Sequence, residues 1–309
     1  MTMRKTWILF IIILSGLLLP GLLAGETKVS TIEKSFPLTP GQPVTVSFHD
    51  SDGDVKFTSS DDNAVHLKVW KETGVRDSAR AQRLLDEITV EVSQRDNDVR
   101  IEIRRPHSRW FFFWLWDSHR VRVRSEVVLP KECRLMAGTS DGSITATQVK
   151  GDLSFKTSDG DIRLTDAEGR LQVRSSDGAI ALDNVRGDVE AHASDGNIEV
   201  SGVLTGLNLR ASDGDISVRV LPGSRMASSW EIGTSDGNVE AAVAPDFAAQ
   251  LWLHTSDGDI NCVLPVTVEG KTTGHNVRGT LGSGGSLLTI KTSDGDITLR
   301  PLPSSLRRP

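Results

Sequence analysis

Carboxylates at regular spacing are the feature of this chain that could do chemistry. The tripeptide Ser-Asp-Gly occurs nine times. Its aspartates are Asp52, Asp141, Asp159, Asp177, Asp195, Asp213, Asp236, Asp257 and Asp294. A second carboxylate follows the glycine at positions such as Asp161 and Asp215, which gives paired aspartates. Paired carboxylates act as acid and base in glycoside hydrolysis, and carboxylate oxygens are the ligands that calcium prefers.

Three roles for these aspartates are open from the sequence alone. The favoured one is structural, because an aspartate before glycine can hydrogen-bond the backbone of its own turn. The second is that some carboxylates hold a proton, because like charges about 4.8 Å apart disfavour joint ionisation. The third is a column of calcium ions, although the chain lacks the EF-hand and nonapeptide calcium spacings. The candidate calcium ligands are Asp141, Asp159, Asp161, Asp177, Asp195, Asp213 and Asp215.

Other catalytic or cofactor motifs do not emerge from the sequence. The seven histidines show no metal-ligand spacing, and the glycines from Gly282 to Gly285 match neither phosphate-loop pattern. The aspartate pairs recur where turn chemistry already explains them, and no repeat departs from the others to build a pocket. We therefore expect no catalytic residues and no cofactor other than the calcium alternative. A carbohydrate-active β-helix remains the enzyme alternative.

A fixed interval of 18 residues separates the five motifs from Asp141 to Asp213. Such an interval is typical of stacked repeats. Within each interval the alternation of apolar residues changes parity twice, which indicates two short strands and two corners. The sequence predicts an all-β, single-domain β-solenoid of stacked two-strand coils of about 18 residues. The predicted rungs include Ile144, Ile162, Ile180, Ile198 and Ile216, and on the returning strand Leu153, Leu171, Val189 and Leu207.

Two further expectations concern the corners and the longer repeats. At each Ser-Asp-Gly corner, glycine should supply backbone angles that are closed to other residues. The last three intervals are 23, 21 and 37 residues long. Because insertions in a repeat array map to loops, 221–229 and 266–286 should bulge from the stack.

Four segments organise the chain in this interpretation. Residues 1–25 are a signal peptide or N-terminal anchor, and residues 29–134 are an N-terminal β region with one short helix and an aromatic hairpin. Residues 135–300 are the repeat solenoid, and residues 301–309 are a tail. Alternating strands are predicted around 65–69, 88–92, 99–103 and 121–128. Helical spacing of Ala81, Leu84, Leu85 and Ile88 predicts the helix over 78–87, capped by Asp77 or Ser78.

The N-terminus indicates export. Arg4 and Lys5 precede an apolar run from Trp7 to Leu19, and small residues follow up to Gly25, which is the layout of a secretory signal. The run is also nearly long enough to be an uncleaved membrane anchor. Both alternatives place the mature domain in the periplasm, the cell envelope or the extracellular space. The two cysteines, Cys133 and Cys262, are expected to be buried free thiols because they fall several coils apart.

A run of large apolar side chains interrupts the polar N-terminal region. It comprises Trp110, Phe111, Phe112, Phe113, Trp114, Leu115 and Trp116. One interpretation is a hairpin tip that caps the open end of the solenoid. The other is an external contact with a membrane or a protein partner, because exposed aromatic patches with basic flanks mark such sites. The aromatic residues Trp110 to Trp114 and Trp116 are the candidate contact residues.

Several motifs together resemble a known family. They are the Val127-Val-Leu-Pro130 segment, the repeated Thr/Ser-x-Gly-x-Ile coils and the closing segment 279–290, which Thr292-Ser-Asp-Gly-Asp-Ile297 follows. The chain resembles, over 29–299, a bacterial β-strand-repeat family of unknown function commonly labelled "putative adhesin". It departs from that family in carrying aspartate in all nine turns. The resemblance implies a surface or envelope role and supplies no catalytic residues.

The charge composition argues against one class of partner. The net charge is −6 over 309 residues, and the basic residues are scattered, which argues against nucleic acid as a partner. The leading hypothesis is a noncatalytic exported envelope or surface protein, an adhesin or interaction scaffold that binds through its solenoid face. Its partner would be an envelope protein or polysaccharide, with membrane contact through the N-terminal segment or the aromatic hairpin. A cation-stabilised structural module is the other noncatalytic alternative.

Overall fold

The computed structural model describes residues 28–105, 121–268 and 274–303. Within these ranges the chain forms 23 strands and one helix, which confirms the predicted all-β class with one short helix. The strands are β1 (Lys28–Pro37), β2 (Thr45–Asp50), β3 (Asp54–Ser60), β4 (Ala64–Thr73), β5 (Thr89–Arg95), β6 (Asp98–Arg104), β7 (Val121–Pro130), β8 (Arg134–Gly138), β9 (Ile144–Thr147), β10 (Lys150–Lys156), β11 (Ile162–Thr165), β12 (Glu168–Arg174), β13 (Ile180–His192), β14 (Ile198–Arg210), β15 (Ile216–Val220), β16 (Trp230–Gly233), β17 (Val239–Val243), β18 (Ala249–His254), β19 (Ile260–Cys262), β20 (Val266–Val268), β21 (Asn276–Leu281), β22 (Leu287–Lys291) and β23 (Ile297–Pro301). The helix is α1 (Ser78–Glu87), and all the strands belong to one hydrogen-bonded sheet.

Strands in the middle of the chain pair in parallel with partners one repeat away. The first aligned column runs through β9, β11, β13, β14 and β15 and consists of Ile144, Ile162, Ile180, Ile198 and Ile216. The second column runs through β10, β12 and the second halves of β13 and β14 and consists of Leu153, Leu171, Val189 and Leu207. The predicted rungs are therefore confirmed on both strands, and the arrangement is solenoid-like.

The core lies between the two strand columns. Inward side chains such as Ile162 and Leu171 are buried, and the residues that alternate with them face outward. Full burial of each aliphatic side chain stabilises the fold by about 1.5–3 kcal/mol. Because equivalent residues stack directly, each rung excludes water from the rung beside it.

The first Ser-Asp-Gly motif belongs to the same sheet. Strands β2 and β3 pair in parallel with β8 and β9 on one side and with β6 and β7 on the other. Residues 45–60 therefore lie in the sheet between the strands that flank 106–120 and the first repeat of the 18-residue series. The sheet is continuous across residue 134.

The helix covers the N-terminal part of the sheet. Asp77 caps it, because the Asp77 side chain accepts a hydrogen bond of 2.6 Å from the Arg80 N–H. Its apolar face buries Ala81, Leu84 and Leu85, as the helical spacing predicts. The buried Lys71 of β4 donates from Nζ to the carbonyls of Leu85 at 2.7 Å and Ile88 at 3.0 Å. Lys71 therefore closes the C-terminal end of α1, where a cation is favourable, while burial lowers the pKa of its ammonium group.

The last two repeats do not stack in chain order. Strand β22 lies between β16 and β18, and β23 lies between β17 and β19. The final repeat is thus inserted between the repeats of Asp236 and Asp257. Part of the predicted bulge at 266–286 instead forms β20 and β21. Strand β21 pairs antiparallel with β18 and β20 pairs antiparallel with β21, so the expectation of a simple loop is wrong. These strands cover an edge that would otherwise expose unpaired backbone groups. The segment 221–229 contains no strand, as predicted.

The ends of the chain fall largely outside the described ranges. The proposed signal or anchor at residues 1–25 lies outside them, and so does most of the tail. Within the described ranges, no helix is long and apolar enough to cross a bilayer.

Candidate functional site

The nine Ser-Asp-Gly turns form one continuous column along a corner of the sheet. In every turn after the first, the serine N–H donates to the serine carbonyl of the neighbouring turn at 2.8–3.1 Å. This backbone ladder gives the order of the aspartates in the column as Asp52, Asp141, Asp159, Asp177, Asp195, Asp213, Asp236, Asp294 and Asp257. The predicted column of carboxylates therefore exists, with its last two members exchanged.

In four of the nine turns, the hydroxyl of the threonine before the tripeptide accepts the glycine N–H. Thr157 Oγ1 accepts the Gly160 N–H at 3.2 Å and donates to the Ser140 carbonyl at 2.9 Å. The same amide-to-hydroxyl bond forms at Thr139, Thr255 and Thr292. Among the described residues, no backbone amide donates to the carboxylate of a tripeptide aspartate, and Asp52 instead lies 3.0 Å from Arg105. The expected capping by aspartate is therefore wrong. In four turns a threonine hydroxyl accepts the glycine amide instead.

Glycine is required in these turns by close approach of the backbone. A Cβ placed on Gly160 would lie 2.1 Å from the Gly142 carbonyl oxygen, and the equivalent contact at Gly178 would be 1.9 Å. None of the nine tripeptide glycines, all of them described, has a positive φ. The expectation that glycine provides otherwise closed backbone angles is therefore wrong for this corner. Each glycine is instead the only residue small enough to lie against the next turn.

Asp161 and Asp215 belong to a second ladder, formed by residues that follow the glycines. Asp161 Oδ1 accepts the Ala179 N–H at 2.9 Å, and Asp215 Oδ1 accepts the Asn238 N–H at 2.7 Å. Asn197 makes the same bond to the Asp215 N–H at 2.8 Å. Since an asparagine serves equally well, the negative charge is not required for this role. The two aspartates use one carboxylate oxygen to join neighbouring coils.

The remaining candidate metal ligands are exposed on the outside of the corner. Asp141, Asp159, Asp177, Asp195 and Asp213 face solvent and make no ion pair with a described residue. Across the described ranges, no group of three or more histidine, cysteine, aspartate or glutamate side chains converges to hold a metal ion. The structure brings these carboxylates to one line, and calcium binding there stays a prediction.

The first of the nine turns carries a carboxylate at the position before the tripeptide, where the others have threonine, serine or alanine. Asp50 occupies the place of Thr139 and Thr157, and its side chain is fully buried. Its Oδ1 lies 3.9 Å from Arg105 Nε, which lies 3.0 Å from Asp52 Oδ2. Asp50 Oδ2 has no hydrogen-bond partner among the described residues. Burial raises the pKa of Asp50, and the Arg105 charge opposes that shift.

The aromatic run lies outside the described residues, so its two interpretations stay predictions. The candidate contact residues Trp110, Phe111, Phe112, Phe113, Trp114 and Trp116 all fall within 106–120. The residues at the two ends of that segment are described. Arg105 Nη1 donates to the Val121 carbonyl at 3.3 Å, so both ends meet beside the first Ser-Asp-Gly turn. The two described residues that flank the segment, Arg105 and Val121, thus lie at the corner that carries the aspartate column.

The outer face of the returning strands carries ion pairs between neighbouring coils. Arg134 pairs with Asp152 at 3.0 Å, Arg174 with Glu190 at 3.1 Å, and Arg210 with Glu231 at 2.9 Å. Near the C-terminal end of the same face, the Trp252 ring lies under two cations. Arg278 lies 5.0 Å and Lys291 lies 4.4 Å from its ring centre. Sequence reasoning missed this cluster, because the three residues come from separate strands and only the strand register joins them.

Two surface grooves line the N-terminal coils. One has a volume of about 290 Å³ and is lined by His49, Arg100 and Met136 among others. Glu102 in this groove is hydrogen-bonded to Arg104 at 2.9 Å, and this bond lowers the pKa of the Glu102 carboxyl. The Glu102 carboxyl is therefore ionised and already hydrogen-bonded to Arg104. This is unfavourable for a general acid, which must carry a proton that it can donate. The other groove, of about 450 Å³, is lined by Trp70 and by a Glu72–Arg124 ion pair at 2.9 Å.

Both cysteines are free thiols, as predicted. Cys133 is buried, and burial raises the pKa of its thiol to about 12. Cys262 is half-buried rather than fully buried, because it lies on the edge strand β19. A thiol with a raised pKa is a poor nucleophile at neutral pH. The thiols therefore suit packing rather than catalysis.

Comparison with known proteins gives one family match. Residues 44–300 match the model of the family described as Toastrack DUF4097. No curated protein matches the chain.

Several solved structures are similar to the chain at low identity. A "putative adhesin" from Parabacteroides distasonis is 11% identical over 89% of this chain and 98% of its own, with a TM-score of 0.40. A "putative adhesin" from Bacteroides fragilis is 12% identical over 87% and 97%, with a TM-score of 0.38. A "putative lipid binding protein" from Parabacteroides distasonis is 12% identical over 88% and 96%, with a TM-score of 0.33.

Proposed function

The chain belongs to the Toastrack family, DUF4097, and from this premise we propose that it is a noncatalytic binding scaffold of the cell envelope. Its paired strands would form the successive coils of one solenoid, and the outer faces of those coils would bind an envelope macromolecule. The proposal depends mainly on one observation: side chains that could act as acids, bases or nucleophiles already have structural roles. In the described ranges, the buried threonines and several aspartates of the corner are bonded to backbone of neighbouring coils.

The shape of the sheet supports binding over an extended surface. Parallel pairing at fixed register repeats the same outward positions from coil to coil, about 4.8 Å apart. A polymer or a second protein could therefore contact several equivalent positions at once. The binding free energies of individually weak contacts then add, because each later contact forms within a complex that already exists.

The absence of catalysis is part of the proposal and has two supports. The groove residue Glu102 is bonded to Arg104, and the Cys133 thiol has a raised pKa. Asp161 and Asp215, which could form acid and base pairs with Asp159 and Asp213, each give an oxygen to a backbone amide. These bonds leave the carboxylates in structural roles.

Export is proposed from the N-terminal sequence. Arg4 and Lys5 followed by the apolar run from Trp7 to Leu19 direct such a chain to the secretory machinery. The partner would then be a protein or polysaccharide of the envelope.

Co-sedimentation with envelope fragments of the producing cell tests the proposal. The full chain, purified after fractionation of the cell, is mixed with fragments, and the pellet and supernatant are quantified. We expect the chain in the envelope fraction of the cell and in the pellet of the mixture. The polysaccharide of the pellet should keep its length over hours, which size-exclusion chromatography measures.

Treated fragments act as the control for the class of partner. Fragments digested with protease lose a protein partner, and fragments digested with glycan hydrolases lose a polysaccharide partner. A chain that stays in the supernatant with every preparation, or that shortens the polysaccharide, contradicts the proposal.

A further inference from the structure

The outer face of β18, β21 and β22 differs from the rest of the sheet. Trp252 of β18 is aligned with Arg278 of β21 on one side and with Thr289 of β22 on the other. In the adjacent row, His254 is aligned with Asn276 and Lys291. Trp252 is thus surrounded by cationic or hydrogen-bonding side chains from three strands. The three strands contain no acidic residue.

The cations of this cluster are not neutralised by any residue of the described ranges. Neither Arg278 nor Lys291 forms an ion pair with another residue in the part of the chain that the structure describes. Glu231 of the neighbouring strand β16 is bonded to Arg210, on the side away from the cluster. Elsewhere on this face, arginines such as Arg174 pair with a carboxylate of the adjacent coil. The ion pairs of the other repeats thus provide an internal comparison. The cluster differs from them because its cations have no carboxylate partner among the described residues.

The indole ring brings the two positive charges together. Arg278 and Lys291 lie 5.0 and 4.4 Å from the same ring centre. They are therefore closer than one Debye length in 0.1 M salt, about 10 Å, so their potentials add. Contact with the ring face favours both cations and limits their mobility. In a chain with a net charge of −6, this is a fixed local positive potential.

We propose that Trp252, Arg278 and Lys291 form a binding site for an anionic polysaccharide. The proposal rests on the proposed function and names the site and the ligand class for it. Arg278 and Lys291 would bind carboxylate or sulfate groups of the polymer. Asn276 and His254, which are partly exposed, would hydrogen-bond sugar hydroxyls, and Trp252 would give the site its rigid aromatic surface.

Two observations favour a polysaccharide over other anions. The side chains of Trp252 and Asn276 are partly exposed beside the cations, so sugar rings can contact them. The side chains lie on paired strands of the sheet, which suits a chain of rigid rings. A lipid surface would instead favour an exposed apolar face beside the basic residues. Leu287, 38% exposed, is the large apolar neighbour on β22 and makes lipid the competing class.

The test measures binding of the full chain to defined polymers at low salt. The probes are polygalacturonate and dextran sulfate, with neutral dextran, polyglutamate and phosphatidylglycerol vesicles for comparison. The double variant Arg278→Gln/Lys291→Gln removes the unpaired cations. The matched variant Lys150→Gln/Arg174→Gln removes two cations from the same face that are paired with Glu168 and Glu190. Melting of each variant establishes that it is folded.

The expected result is binding of an anionic polysaccharide that the cluster controls. The Arg278→Gln/Lys291→Gln variant should bind at least about tenfold more weakly, since hydrogen bonds to charged groups are of that size. The matched variant should bind within about twofold of the natural chain, because its cations are already neutralised. Raising the salt concentration should weaken binding of the natural chain, because salt screens exposed charges.

Four results would overturn the inference. They are failure to bind both anionic polymers, equal loss in the two double variants, equal binding of neutral dextran, and stronger binding of polyglutamate or of vesicles. If the Arg278→Gln/Lys291→Gln variant still sediments with envelope fragments as the natural chain does, the inference is wrong while the scaffold function stands. If neither chain sediments, the scaffold function fails, and the polymer measurement still decides the site.

Discussion

The middle repeats and the last two repeats contain the same turn but present different outer surfaces. In the middle, Arg174 and Arg210 pair with carboxylates of the adjacent repeats. In the last repeats, Arg278 and Lys291 lie against Trp252 and pair with no carboxylate of the described ranges. The inward residues follow the same alternation in both regions, and the turns are joined by the same ladder. Stacking therefore constrains the core and the corners, while the outer face is free to acquire a function.

The largest loss of stability is expected from a change to one of the buried, aligned residues that the two regions share. Ile180→Asp places a carboxylate among Ile162 and Ile198, where its charge would have no partner. Burial of an unpaired charge is very costly, so we expect loss of cooperative folding. Ala181→Asp, on the outward neighbour, should melt close to the natural chain. Circular dichroism during heating measures both, and a cooperative transition in Ile180→Asp would contradict the rung assignment.

A smaller loss is expected from the corner. Gly160→Ala puts a methyl group 2.1 Å from the Gly142 carbonyl oxygen, a contact that requires two backbones to separate. We expect the free energy of unfolding to fall by about 1–3 kcal/mol, the usual cost of overpacking. In Gly74→Ala the new methyl group meets no atom within 4 Å and serves as the control. Equal stability of the two variants in urea denaturation would show that the corner tolerates a side chain.

The first coil offers a test in which stability should increase. Asp50→Thr introduces the residue that closes four of the other turns and removes a buried carboxyl whose pKa is raised by burial. A raised carboxyl pKa gives stability that is present below the ordinary value of 3.8 and lost as pH rises through the folded-state pKa. We therefore expect the variant to gain about 1 kcal/mol at pH 7, with the gain shrinking toward pH 4.

The control for this variant is Asp141→Thr, which removes an exposed carboxylate one coil away. Melting temperatures of both variants across pH 4–7 give the comparison. A loss of stability in Asp50→Thr at pH 7 would mean that pairing of Asp50 with Arg105 outweighs the cost of burying the carboxyl.

The smallest effect concerns the exposed aspartate column. Neighbouring like charges on paired strands destabilise a sheet by about 0.2–1 kcal/mol. Asp159→Asn/Asp177→Asn should therefore raise the melting temperature slightly in low salt, and the gain should vanish in high salt. Millimolar calcium should stabilise the natural chain no more than sodium chloride of equal ionic strength. A larger calcium shift that chelator reverses, and that the double variant lacks, would instead establish calcium as a ligand of the column.

The sequence was sufficient for the parts of the fold that depend on local periodicity. The 18-residue interval and the parity of Ile162 and Leu171 gave the parallel rungs. The spacing of Ala81 and Leu85 gave the helix and its Asp77 cap. The exchanged order of the last two repeats could not be predicted from the sequence, because their turns are identical in sequence. Only the pairing of their strands in the folded structure sets that order.

The chemistry of the corner was harder to predict than its position. Thr157 and its equivalents close the turns because their hydroxyls are buried beside the glycine amide, a geometry that depends on the neighbouring coil. The need for glycine likewise comes from the Gly142 carbonyl of another turn. The recurrence of Thr or Ser before the tripeptide was the signal that could have revealed the cap. The Trp252 cluster had no such local signal, since its residues lie on three strands.

The inserted final repeat also determines when the structure can be completed. Strands β18 and β19 are synthesised before β22 and β23, yet their parallel partners in the array are those last strands. A nascent chain can add coils one after another up to the repeat of Asp236, because each finds its neighbour already made. Residues 249–262 therefore lack these parallel partners until β22 and β23 have been synthesised. Premature termination before β22 would leave the array open at that end.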